Sequence, residues 1–146
     1  MKFFIRAAFA VMVLLFFTHI QAGAAELSKV IFKPENLPKG WVMTQNYLAD
    51  KSKLPEYEKK FNITPLKGLS NQVFIVENRC RLQINYIQLK DTAQADEIAK
   101  RIFKQFGHIN RILQKENIVI EIMTNPNDLV IKDQVTNILL PVKVIK

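Results

Sequence analysis

The sequence predicts an α+β fold: a mostly antiparallel sheet made of two hairpins plus N-terminal strands, covered by two longer helices and one short helix. Three observations carry this prediction. Apolar runs with strand character come in two pairs, 72–76 with 80–89 and 110–114 with 118–123, each joined by a short polar turn. The stretch 91–107 between them repeats apolar residues at helical spacing. A second helical stretch closes the chain before Pro141.

The chain begins with Lys2 and Arg6, runs uncharged from Ala7 to Phe17, and then reaches Ala22, Gly23 and Ala24. A basic start, an apolar stretch and an A-x-A site are the parts of a secretory signal peptide. The apolar stretch would rise only about 16 Å as a helix, short of a hydrocarbon core. The expectation is cleavage after Ala24 and an exported protein, periplasmic or secreted. The alternative extends the stretch to Ile20 as an uncleaved anchor. A lipoprotein anchor is not expected, since the chain's one cysteine is Cys80. Residues 25–146 then form a single α+β domain, large enough to bury a core without staples. Taking Lys2 and Arg6 from the 21 basic residues leaves 19 against 13 acidic, a balance of +6.

Each element has a local reason. Val30 to Phe32 reads as a short strand, followed by a turn punctuated by Pro34 and Pro38 and a strand entered through Gly40-Trp41. "LPEYEKKFN" reads as the short helix, with Pro55 near its start, where a missing N–H does no harm. "ITPLKGLS" reads as a loop broken by Pro65 and Gly68. "QVFIV" is apolar on both faces, as a central strand should be, and Glu77-Asn78 supplies a tight turn. The return strand alternates, with Cys80, Leu82, Ile84 and Tyr86 on one face. Ile87 and Leu89 then move the apolar character across, which requires a bulge or a strand end covered on both sides.

The helix after it has Asp91 as N-cap, Gln94 three residues on, and Gly107 as its stop. Ala95, Ile98, Ala99, Ile102 and Phe106 form its apolar stripe, and Asp96–Lys100 and Glu97–Arg101 are i,i+4 pairs. The second hairpin turns at "KEN", with Ile118, Ile120 and Ile122 on one face. The closing helix is capped by Asn127 or Asp128, and "VKVIK" is a last edge strand or a frayed tail.

An early "LPKGW", together with an exported leader and the order hairpin, amphipathic helix, hairpin, resembles the PsbP-like group of α/β/α sandwich proteins. The resemblance covers most of the region after the leader as element order. It implies the sandwich architecture and a small binding or assembly-accessory role, and it carries no functional residue with it.

Little in the chain points to catalysis. His108 is the one histidine left after processing, it follows a helix end, and no Gly-flanked serine elbow accompanies it. No metal or cofactor is expected, because zinc needs several His or Cys ligands and one of each remains. Asp96 and Glu97 are adjacent and Glu56 and Glu58 two apart, so neither pair shares a helical face; Glu77 and Glu121 are distant acids that strands could bring together. "NIT" at 62–64 matches a glycosylation sequon, but Pro65 follows it. Trp41 reads as a core anchor, with a ligand-stacking surface as its alternative. Cys80 reads as a small buried hydrophobe, with an intermolecular disulfide or a reactive thiol as alternatives.

Basic residues are the one global bias. Arg79 and Arg81 on the first hairpin, with Lys100, Arg101 and Lys104 on the next helix, are the candidate binding face, suited to an anionic surface or an acidic partner. Export argues against nucleic acid. The sequence thus predicts an exported, non-enzymatic domain that binds a protein, peptide or envelope component. It is expected to be a monomer, a Cys80-linked dimer being the other case. The alternative function is a small-ligand carrier or hydrolase whose pocket is assembled from distant residues.

Overall fold

A computed structural model describes residues 27–146; the expected leader over 1–24 and its cleavage site lie outside the described residues. The fold is α+β, with six antiparallel strands in one sheet. They are β1 (Trp41–Leu48), β2 (Leu66–Val76), β3 (Cys80–Leu89), β4 (Arg111–Lys115), β5 (Ile118–Asn125) and β6 (Lys143–Val144), in the spatial order β1-β2-β3-β5-β4-β6. The helices are α1 (Leu54–Phe61), α2 (Thr92–Phe106) and α3 (Leu129–Leu139), and a further helical turn occupies 27–30.

Both α2 and α3 connect strands that skip one neighbour. From β3 the chain passes over β5 to reach β4, and from β5 it passes over β4 to reach β6. The two crossovers run in the same lateral direction from strands of opposite sense. Their helices lie on opposite faces of the sheet, so the two crossovers share one hand, in keeping with the strong handedness preference of such connections. The result is a three-layer sandwich. Under α3 and the 27–30 turn lie Phe74, Leu82, Ile84, Leu113, Ile120 and Ile122, with Trp41 toward the β1 edge. On the other face Leu54, Ala95, Ile98 and Ala99 cover Leu66, Ile87, Leu89, Ile112 and Val119.

Cys80 is buried in the first core, where burial pushes its thiol above the ordinary value. Trp41 is a core anchor there too, with Phe32 and Phe74 at centroid distances of 5.6 to 5.9 Å in tilted and edge-on geometry.

Several local expectations change. Val30–Phe32 is not a strand. Val30 ends the helical turn, and the main chain of Phe32 is held by one side chain: Gln72 Oε1 accepts from Phe32 N at 3.0 Å, and Gln72 Nε2 donates to Phe32 O at 2.8 Å. The same amide accepts from the Tyr86 hydroxyl at 3.1 Å and donates to Asn46 Oδ1 at 3.1 Å. A wholly buried glutamine thus has all four of its bonds and does the work of a strand edge. Burial also pushes the Tyr86 phenol well above its ordinary range.

The "ITPLKGLS" segment is not all loop, because β2 already begins at Leu66, two residues before Gly68, with a register shift against β3 between them. The hairpin turn places both Glu77 and Asn78 at positive φ, and the three residues 77–79 separate the paired positions Val76 and Cys80. No bulge explains the change of apolar face on β3: its register against β5 is unbroken, and the strand end is covered on both sides.

Asp91 caps α2, accepting from Gln94 N at 2.8 Å, and Asp128 caps α3, accepting from Ile131 N at 3.0 Å. Gly107 keeps right-handed helical angles, so it does not end α2 by a left-handed turn. Its value is space: a Cβ there would fall 2.4 Å from the Phe103 ring. Phe103 packs toward the core, while Phe106 of the expected stripe is exposed. "VKVIK" supplies the short edge strand β6, paired with β4.

Candidate functional site

The two faces of the sheet are not equally covered. On the α1/α2 side the residues facing out of the central strands are Leu69, Asn71, Val73 and Ile75 of β2, Arg81, Gln83, Asn85 and Ile87 of β3, and Val119, Glu121 and Met123 of β5. Antiparallel register stacks them in rows. Leu69, Ile87 and Val119 form an apolar row beneath the helices. One row further along stand Asn71, Asn85 and Glu121, a single polar row, since the next row is Val73, Gln83 and Met123, apolar again on β2 and β5.

These side chains join into a hydrogen-bonded line across the sheet. Gln45 Nε2 donates to Asn71 Oδ1 at 2.9 Å, Asn71 Nδ2 to Asn85 Oδ1 at 2.6 Å, and Asn85 Nδ2 to Glu121 Oε2 at 2.9 Å. Asn110, just ahead of β4, closes the line by donating Nδ2 to Glu121 Oε1 at 2.8 Å. Gln83 Nε2 adds a bond to Asn85 Oδ1 at 3.3 Å from the next row. With strands about 4.8 Å apart, the line spans roughly 15–20 Å. Asn71, Asn85, Asn110 and Glu121 are half-buried and Gln45 is exposed. The line therefore stays ordered while facing solvent.

Aromatic groups stand beside it. Tyr47 shares the row of Asn71, and its hydroxyl meets that of Tyr57 on α1 at 3.0 Å, which raises the Tyr47 pKa above its ordinary value. Tyr57 stacks on Phe61 with centroids 5.9 Å apart, and Phe61 remains exposed. At the far end Ile109, next to Asn110 in the chain, is also exposed.

What such a surface does chemically is present oriented donors and acceptors. Glu121 is the line's one ionisable member, and each of its oxygens already accepts an amide N–H, which fixes its orientation. No serine, cysteine or histidine belongs to the line. Among the described residues no group of three or more His, Cys, Asp or Glu is placed to hold a metal ion. No described helix is long and apolar enough to cross a membrane.

The basic residues singled out from sequence occupy separate places. Arg81 points out of the open half of this face, next to Ile75 and Asn125 in register. Arg79, in the β2–β3 turn, pairs with Glu77 at 3.0 Å, so Glu77 is not brought to Glu121. Lys100 and Lys143 together hold Asp96, and their hydrogen bonds keep its carboxyl below the usual carboxylate range. Arg101 does not pair with Glu97 in a salt bridge; it donates to the carbonyls of Asn62 and Phe61 at 3.0 and 3.3 Å, capping the end of α1. Lys104 is exposed on α2, and His108 is exposed just beyond it.

The residues of the polar line were not visible as a group in the sequence. Asn85 reads as one polar position among several on its strand, and Glu121 as an isolated acid. The available signal was that β2 and β5 each carry one amide or carboxylate, Asn71 and Glu121, between apolar residues of the same face, with Asn85 adjoining Ile87 on that face of β3. Only the register shows that the three positions fall in one row. No protein-family model, curated protein or solved structure matches the chain.

Proposed function

We propose that this chain is an exported, non-enzymatic binding domain whose open half-sheet holds a protein, peptide or envelope component through the Gln45–Asn71–Asn85–Glu121–Asn110 line. The observation that supports this reading is the single row of amides and a carboxylate that register assembles across three neighbouring strands. A sheet face left open only for solubility needs scattered charges. This one carries a continuous row of directional hydrogen-bonding groups flanked by Tyr47, Tyr57 and Phe61. Amides fixed by one another lose little freedom on binding, which favours recognition.

Immobilised protein exposed to an envelope extract is expected to retain a defined set of components. The combined substitution Asn71→Ala, Asn85→Ala and Glu121→Ala is expected to release them while the circular dichroism spectrum is unchanged. Equal retention by the parent and the substituted chain contradicts the reading.

A further inference from the structure

The two edges of the sheet differ in kind. β6 closes one edge with two residues, and Pro141, Lys143 and Lys146 surround it with features that discourage further pairing. β1 forms the other edge with eight residues, and the stretch Trp41 to Ala49 contains no charge, no proline and no glycine. Val42, Thr44, Gln45, Asn46 and Leu48 are exposed. Among the described residues, the one main-chain bond that joins this strand to a segment other than β2 runs from Trp41 N to Pro38 O at 3.1 Å. The outer edge is open.

This strand is also complementary to itself. Gly40 O accepts from Glu77 N, and Ala49 N donates to Leu69 O, so both flanks are anchored toward β2. Counted alternately inward from these anchors, Trp41, Met43, Asn46 and Leu48 turn their main-chain groups outward. The same four residues place their side chains on the α3 face, and Val42, Gln45 and Tyr47 lie on the open face, because the register shift at Thr44 resets the alternation. Two β1 strands laid antiparallel and overlapped over their full length set Trp41 opposite the partner's Leu48, Val42 opposite Tyr47 and Met43 opposite Asn46. Each pair then shares a face and a hydrogen-bonding phase. Lys39 falls opposite the partner's Asp50 at both ends, a favourable charge pair. Both residues are exposed, and neither belongs to a salt bridge among the described residues. A shift by one residue sets unlike faces together and separates Lys39 from Asp50.

We propose that a second copy of this chain pairs antiparallel along β1, about a twofold axis at Thr44–Gln45, and joins the two sheets into one. An isologous contact of this kind satisfies the outward main-chain groups of both copies at once. Leu48 comes beside the partner's Trp41 and Val42 beside its Tyr47, which takes two exposed apolar side chains of each copy out of water. Cys80 has no part in it, since its thiol is buried. The two Gln45 side chains flank the axis on the same face, so the polar line of one copy meets that of the other. The inference does not depend on what the line binds.

The test uses the full chain in a Cys80→Ala background. Sedimentation is expected to show a monomer–dimer equilibrium. A nitroxide on Gln45→Cys is expected to show dipolar broadening that dilution with unlabelled chain removes, and one on Glu97→Cys, on the outer side of α2, is expected to show none. Leu48→Lys, at an exposed position, is expected to weaken the dimer about tenfold. Val42→Lys serves the same purpose should Leu48→Lys not fold. Lys39→Glu is expected to weaken the dimer about fivefold, and Lys39→Glu with Asp50→Lys to restore it. A chain that stays monomeric up to about 1 mM overturns the proposal. So does broadening at 97 equal to that at 45, a dimer indifferent to a folded edge-lysine variant, or no recovery in the charge-exchanged pair. The label reports which edge meets the second copy, so association through another part of the chain cannot imitate it.

Discussion

β3 can be compared with itself. Leu82, Ile84 and Tyr86 point to the α3 side and are wholly buried, while Arg81, Gln83 and Asn85, interleaved with them, point to a face that α1 and α2 cover only in part. Both sets belong to one strand with one backbone geometry. The first set is held by burial, while in the second Gln83 and Asn85 are held by hydrogen bonds of the polar line. Stability should therefore reside on one side of this strand, and recognition on the other.

The largest expected effect comes from the buried amide of the α3 side. Gln72→Leu leaves the Phe32 N–H and C=O and the Tyr86 hydroxyl without their partner. It is expected to lower stability by about 4 kcal/mol in urea unfolding. A loss below about 1 kcal/mol would mean that the N-terminal segment is not pinned by this side chain.

Ile84→Ala should follow, at about 3 kcal/mol, because it opens a cavity in a fully buried position. Its neighbour Asn85→Ala should cost about 1 kcal/mol or less, since water replaces bonds made at a half-open surface. Equal costs at 84 and 85 would erase the distinction between the faces.

Asn85→Val sharpens it further. A β-branched residue suits a strand, so stability should hold or rise by about 0.5 kcal/mol while binding through the row is lost. Destabilisation above about 2 kcal/mol would show instead that the row is a structural brace.

The smallest effect is a pH dependence at Asp91. Its bond from Gln94 N holds the carboxyl below the usual range. A depressed folded pKa contributes stability that is present above the unfolded value near 3.9 and is lost as pH falls through the folded value. Asp91→Asn keeps a capping side chain, so the urea midpoint should match the parent at pH 7, and the decline on acidification below about pH 4 should be shallower. An unchanged acid limb would contradict the assignment.

Much of the architecture was legible because it rests on local patterns. The Asp91 and Asp128 caps, the two tight turns and the alternation of Cys80 to Tyr86 each need only a few neighbouring residues, and each is present in the structure. Where the sequence misled, a distant partner decided. Val30–Phe32 has strand composition, but Gln72, 40 residues away, takes up the backbone groups of Phe32. Gly107 does end α2 as the sequence implies, and what was hidden is that the Phe103 ring leaves no room for a Cβ there. The polar line illustrates the same limit. Its members are ordinary in composition and become a site only through register between strands, which alternation does not specify. The basic residues show the converse, since charge is visible in sequence while its use in capping α1 or holding Asp96 is not.

The central claim is that the open half-sheet is where a partner sits. A photo-crosslinking residue at Gln83, beside the line, tests it against one at Glu97 on the outer side of α2, both in the full chain exposed to the envelope extract. The expected result is a discrete adduct from position 83 that disappears with Asn71→Ala and Glu121→Ala, and none from position 97. Adducts of equal yield from both positions, or from 97 alone, would contradict it.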